Sequence, residues 1–173
     1  YVKQTYRNRC QILTANGVMN LSIPVEKVSG EKMLDKDVKI SPTDWQRVHW
    51  TAIESAYNNS PFFLYYEDDI RPMYEKKYDF LLDFNLELQE KLVSLLGLTT
   101  EFKLTENYID SYENDLREVL SPKYKGDYPN FNPESYYQVF KEKYGFVENL
   151  SIYDLLFNMG NESILILNKS YKL

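Results

Sequence analysis

An Asn-Gly pair between two strand-like runs is the strongest short-range signal for a β-hairpin, because both central positions of a two-residue turn need positive φ. Asn16-Gly17 stands in that setting, between RCQILTA and VMNLSI. A turn at these two residues sets Ala15 opposite Val18, Thr14 opposite Met19, Ile12 opposite Leu21 and Cys10 opposite Ile23. Cys10, Ile12, Met19, Leu21 and Ile23 then share one face, and Arg7, Arg9 and Gln11 share the other. A slip of one residue would mix the two sets, so the register is expected to hold itself. Pro24 marks the end of the second strand.

The rest of the chain reads mainly as helix. Residues 26–37 are polar and turn-rich and are expected to form a surface loop, and VKIS at 38–41 adds a short strand. Trp45, Val48, Ala52, Ile53 and Ala56 recur at helical spacing, which predicts a helix over about 43–58. FFLYYEDDIRPMYEKKY reads as a short helix and a turn before Pro72. Leu81, Phe84, Leu88, Leu92 and Leu95 stripe a second long helix over 79–96, with Gly97 suited to a left-handed cap. Further helices are expected over 111–120, over 133–145 from Pro133 to Gly145, and over SIYDLLFNMG. EFKLT at 101–105 reads as a strand, and the C-terminal NESILILNKSYKL as helix or strand. The expected fold class is α+β, a small N-terminal hairpin or sheet followed by several packed helices, in one domain over 1–173.

Composition narrows the function. The chain has 173 residues, 43% hydrophobic and 27% charged, with a net charge of −6. Sixteen Tyr and nine Phe are expected to replace aliphatic residues in the core, since aromatic side chains bury large areas. The acidic balance argues against a general grip on nucleic acid. One Cys excludes an internal disulfide and a cysteine zinc site, and it suits a reducing cytoplasm. No apolar run approaches the roughly 18 residues of a membrane span.

No Gly-rich phosphate loop, GxSxG, HExxH or EF-hand loop is present. YEDD at 66–69 reads as a solvated acidic stretch, with oxygen ligation of a divalent ion as the sharper alternative. The basic start is more specific. The first 25 residues carry +3, from Lys3, Arg7 and Arg9, and the other 148 carry −9. In extended structure these three alternate onto one face, with Arg7 and Arg9 roughly 7 Å apart. Two guanidinium forks at that distance suit a phosphate or carboxylate. A protected edge strand is the competing reading. His49, the only imidazole, lies at the edge of an apolar stripe; it is either a packed, hydrogen-bonded ring or a general acid–base.

Three stretches together resemble the WbqC-like family of bacterial proteins, in the form common in Bacteroides-type bacteria. They are YVKQTYRNRCQI with NG and LSIPV, WQRVHWTAIESAYNNSPFF, and YEKKYDFLLDFN leading into LLGLTTEF. The most specific parts are Asn8-Arg9, Ile23-Pro24-Val25 and the Trp45, His49, Tyr57 helix with Ser60-Pro61-Phe62-Phe63. Members occur among genes for O-antigen and other surface polysaccharides. The resemblance implies a role in making or decorating a sugar, with acyl or aminoacyl transfer among the reactions. Family members also carry a strand and a Pro-containing loop ahead of the position of Tyr1, so the domain is expected to be N-terminally incomplete here.

Two readings follow. In the first, the chain is a transferase: Lys3, Arg7, Asn8 and Arg9 bind a phosphate-bearing activated sugar or acyl donor, His49 takes the acceptor's proton, and Trp45 or Tyr57 packs on a sugar face. In the second, it is a non-catalytic module that binds sugar or a partner in the same pathway. No metal is expected from the residue pattern.

Overall fold

In the computed structural model, which describes residues 1, 5–26, 33–126, 128 and 130–171, the chain bends at Ala15 and Asn16, and of the turn residues Gly17 alone takes positive φ, at +103°. The strands are β1 (Arg9–Thr14) and β2 (Gly17–Ser22), paired antiparallel with Thr14 opposite Gly17, Ile12 opposite Met19 and Cys10 opposite Leu21. The expected pairing is therefore corrected by two residues. A primed turn needs positive φ at both central positions, and Asn16 does not supply it. Instead the Thr14 hydroxyl accepts from the Asn16 amide at 3.2 Å and donates to the Gly17 carbonyl at 2.9 Å, closing the bend one residue earlier. A shift of two preserves side-chain parity, so the division of faces is the expected one.

The hairpin is followed by α1 (Trp45–Tyr57), α2 (Phe63–Ile70), α3 (Pro72–Glu75), α4 (Leu81–Leu95), α5 (Lys141–Tyr144), α6 (Ile152–Met159) and α7 (Ser163–Ser170), with short 3₁₀ turns at Asp35–Asp37 and Gly160–Glu162. The class is α+β. The apolar stripes expected over 43–58 and 79–96 form α1 and α4. Gly97 has φ +71°, and the Leu98 amide donates to Val93 O at 3.0 Å, the bond of a left-handed helix cap. Pro72 starts α3 rather than ending a helix, since a first-turn position has no amide bond to lose.

Ile12, Leu21 and Ile23 from the hairpin meet Trp50, Ile53 and Tyr57 of α1 and Leu156 and Phe157 of α6 in one core. Aromatic rings fill it. Trp50 stacks on Phe63 at 6.1 Å, and Phe157 lies against Tyr57, Phe63 and Tyr153 at 5.1–5.6 Å. A narrow backbone ladder extends the core. Val25 bridges Ile40, and Lys39 bridges Phe80, so 38–41 holds the start of α4 to the chain leaving β2.

Three expected elements are corrected. The strand at 101–105 is irregular chain, and 111–120 is a set of turns rather than a helix. The cause of the second is Arg117. Its guanidinium pairs with Asp115, donates to the carbonyls of Ile109 at 2.8 Å and Asp110 at 3.1 Å, and lies over the rings of Tyr108 and Tyr112. One side chain thus satisfies carbonyls that a helix would have bonded internally. The third is 133–145, where only α5 is helical. Residues 133–138 run without regular structure, because Tyr136 and Gln138 both reach Asp154 of α6, at 2.8 Å each. Residues two apart share a side in extended chain and diverge on a helix.

Two stability tests follow. Gly17→Ala is expected to cost about 1–3 kcal/mol in urea unfolding through backbone strain, whereas Asn16→Ala costs under about 0.5 kcal/mol. Equal costs would restore a turn centred on Asn16-Gly17. Asp154→Ala strips an acceptor from Tyr57, Tyr136 and Gln138. It is expected to cost about 3 kcal/mol, with faster proteolysis in 133–147.

Candidate functional site

The expected site residues come together at the open end of the hairpin, by a route the strand pattern does not give. Residues 5–8 turn rather than extend: the Arg7 amide donates to the Thr5 hydroxyl and the Asn8 amide to Thr5 O, both at 3.4 Å. Arg7 therefore leaves the strand face expected for it. Its Nε pairs with Asp35 at 2.9 Å, and its carbonyl accepts from Asn85 Nδ2 of α4 at 2.8 Å. Lys3 lies outside the described residues.

Asn8 and His49 hold the last residues of β2 and the one beyond. The Asn8 side-chain amide donates to Ile23 O at 3.0 Å, and Asn8 O accepts from the Ile23 amide at 2.8 Å. His49 Nε2 lies 3.2 Å from Ser22 O and donates to it, since a carbonyl can only accept. Arg9 faces Ser22 across the ladder. Arg9, Asn8 and His49 thus converge on two residues, Ser22 and Ile23, although 40 positions separate Arg9 from His49 in the chain.

The electrostatics separate these groups into two kinds. His49 is 6% exposed, edge-on to the Trp45 ring at 5.1 Å, and burial pushes its pKa below the ordinary value against a smaller upward pull from Ser22 O. The imidazole is neutral and anchored. Arg9 Nε and Asn8 Oδ1 are the other kind: both are buried with no hydrogen-bond partner among the described residues. The Tyr1 hydroxyl is in the same condition. Burial and Asp35 raise the Tyr1 phenol pKa, while Arg9 and Arg7 pull it down, so both guanidinium groups act on one neighbourhood. Only Trp50 Nε1 and Asn158 Oδ1 share this condition elsewhere in the described chain. Unsatisfied buried groups cost about 1–3 kcal/mol each and more when charged, so their concentration at the start of β1 marks a place prepared for a polar group.

Trp45 and Tyr57 are placed differently. Trp45 packs edge-on against His49 and Phe84, and Tyr57 is 1% exposed. The Tyr57 hydroxyl accepts from the Leu13 amide at 3.4 Å and bonds Asp154. Neither ring offers a face to a sugar in this conformation. Cys10 bonds Ser151 rather than His49, and burial raises its thiol pKa to about 11. The acids of YEDD lie on α2, with Glu67 paired to Arg71 and Asp69 to Lys91.

Sequence reasoning passed over Asp154, a carboxyl 1% exposed that bonds Tyr57, Tyr136 and Gln138; burial raises its pKa, and these bonds oppose the shift. Its signal was an acid in the middle of the apolar run SIYDLLF. It also passed over the groove beside Arg7, about 730 Å³, between α4 and the turns at 112–120. That groove joins segments nearly 30 positions apart and has no local signature. Among the described residues no helix is long and apolar enough to cross a membrane.

An aromatic-cored α+β chain with its basic start folded against one end of a hairpin matches a known group. The sequence profile of the WbqC-like protein family covers residues 1–125, and the chain belongs to that family. It is also 27% identical over 188 aligned residues, 94% of this chain and 81% of the relative, to a protein of Mycobacterium tuberculosis (strain ATCC 25618 / H37Rv) called Uncharacterized protein Rv1507c. No solved structure matches the chain.

A titration tests the anchored imidazole. With its folded pKa below the ordinary value of 6.5, the unfolded chain takes the proton first, so stability falls on acidification from about pH 7 to pH 5. The only histidine resonance should titrate below 6.5, and His49→Gln should remove that part of the slope. A midpoint at or above 6.5 would show an open, charged ring.

Proposed function

We propose that this chain serves the making or decoration of bacterial surface polysaccharide of the O-antigen type, as a transferase that holds a phosphate-bearing sugar or acyl donor at the start of β1. The observation that carries this reading is the cluster of unsatisfied buried groups on Tyr1, Asn8 and Arg9, next to Arg7. An anionic oxygen satisfies Arg9 Nε, and a ligand hydroxyl satisfies Asn8 Oδ1. Phosphate and sugar carry both groups. The family's resemblance to proteins found among surface polysaccharide genes supports the pathway.

Each residue has a role in this reading. Arg9 and Arg7 bind the donor phosphate and stabilise the charge that develops as it leaves. Asn8 orients the donor while holding Ile23. Lys3 adds a further cation to the same end of the chain. His49 is a positioning residue that fixes Ser22, the ladder partner of Arg9. For it to take a proton from an acceptor, its ring must turn away from Ser22. Trp45 and Tyr57 support α1 from the core.

The burial of His49 favours a second reading, a non-catalytic sugar- or partner-binding protein of the same pathway. Turnover separates the two: the transferase consumes donor when an acceptor saccharide is added, and mass spectrometry detects the product.

The binding claim has its own test. Nucleotide sugars and acyl nucleotides are expected to raise the thermal unfolding midpoint, by mass action on the folded state. Arg9→Ala should abolish the shift, and Arg7→Ala should weaken it. A shift that survives Arg9→Ala, or none with any activated donor, overturns the phosphate site.

A further inference from the structure

The groove beside Arg7 changes character along its length. Its wall is α4, whose side chains fall in rows four residues apart. One row is Asn85, Gln89 and Val93, and the next is Leu88, Leu92 and Leu96. Asn85 is the residue that holds the Arg7 carbonyl, so the amides lie at the Arg7 end. Beyond them the wall is aliphatic for about 12 Å, the rise from Leu88 to Leu96. The turns at 112–120 supply the opposite wall, with Leu116 and Leu120 lining the groove while 45% and 55% exposed.

Charge has the same polarity. The lining carries three charged side chains. Arg117 and Asp115 pair with one another, which leaves Arg7 to set the sign of the groove in a chain whose net charge is −6. Arg7 gives Nε to Asp35, and its Nη1 makes only a 3.4 Å contact with the Thr5 hydroxyl. Its side chain is one-third exposed. At about 730 Å³ the groove is within the range of small-molecule sites, roughly 300–1,000 Å³.

We infer that this groove binds a single-chain lipid phosphate, with its head at Arg7 and Asn85 and its alkyl chain along Leu88, Leu92 and Leu96 under Leu116 and Leu120. An apolar trough closed at one end by a cation and two amides fits an anionic amphiphile. A water-soluble sugar would leave the leucines wet, and an uncharged chain would leave Arg7 unused. The inference rests in part on the donor reading, because both use Arg7. It adds that one of the two substrates is carried on a lipid.

The test is isothermal titration of the chain with decyl phosphate below its aggregation concentration, beside decanol and inorganic phosphate. Decyl phosphate is expected to bind at one site, with decanol and inorganic phosphate each at least about tenfold weaker. Leu116→Asp and Leu120→Asp alter exposed side chains, so the fold is expected to survive, which the unfolding midpoint without ligand checks. Each should weaken decyl phosphate by at least about tenfold, by setting a carboxylate beside the alkyl chain. Equal binding of decanol, no binding of decyl phosphate, or an undiminished affinity in both aspartate variants overturns the inference. So does a concentration-dependent dimer that both variants abolish, since the groove would then be an interface between copies. If the unmodified chain binds a nucleotide sugar but not decyl phosphate, the lipid inference fails and the donor reading stands. The reverse result removes the soluble donor and keeps the lipid.

Discussion

Two antiparallel strands are marginally stable at best in water, so the hairpin at the start of this chain must be held from outside. Its open end is held by Asn8 and His49, which bond the main chain at Ile23 and Ser22. Its tip is held by α5, where Lys143 and the Tyr144 hydroxyl both donate to Ala15 O at 2.8 Å. Its middle is held by α6, because the amide of the helix-capping Ser151 donates to Gln11 O at 2.7 Å. With those bonds made, Ile12 and Leu21 are pressed onto α1, and the rest of the core closes around them.

The aromatic content follows from this arrangement and constrains it in turn. Large rings fill the space between one thin sheet and several short helices, but each buried tyrosine brings a hydroxyl that needs a partner. Tyr74 and Tyr153 bond one another at 2.9 Å, Tyr66 bonds Asn161, and Tyr57 and Tyr136 share Asp154. These pairs join parts of the chain that local contacts leave separate. Asp154 is the most demanding case, since a carboxyl in the core has to collect several donors to be tolerated. Collecting them is what draws 133–138 into an extended path.

The same requirement gives the candidate site its meaning. Polar groups deep in this core are paired almost everywhere in the described chain, so the unpaired ones on Tyr1, Asn8 and Arg9 stand out. They lie where the clamp on β2 brings Arg9 into register with Ser22. Stability and binding therefore share residues. Asn8 uses its amide nitrogen for the fold and has its oxygen left over, and Arg7 uses its carbonyl and Nε for the fold while its remaining guanidinium edge faces the groove.

Sequence by itself determined the α+β class, the hairpin with its division of faces, the two long helices, the cap at Gly97 and the family. All of these are written in local periods and turn residues, which act over a few positions. Sequence also singled out Asn8, Arg9 and His49 through the family resemblance. Only the tertiary structure decided the register of the hairpin, because a hydroxyl bond from Thr14 chose between two turns that bury the same face. It decided that 111–120 and most of 133–145 are not helical, because Arg117 and Asp154 bond more strongly than helix propensity, a preference of tenths of a kcal/mol per residue. And it decided that Trp45 and Tyr57 are core while Arg7 borders a groove, since burial depends on what packs across from a side chain, and those partners lie tens of positions away.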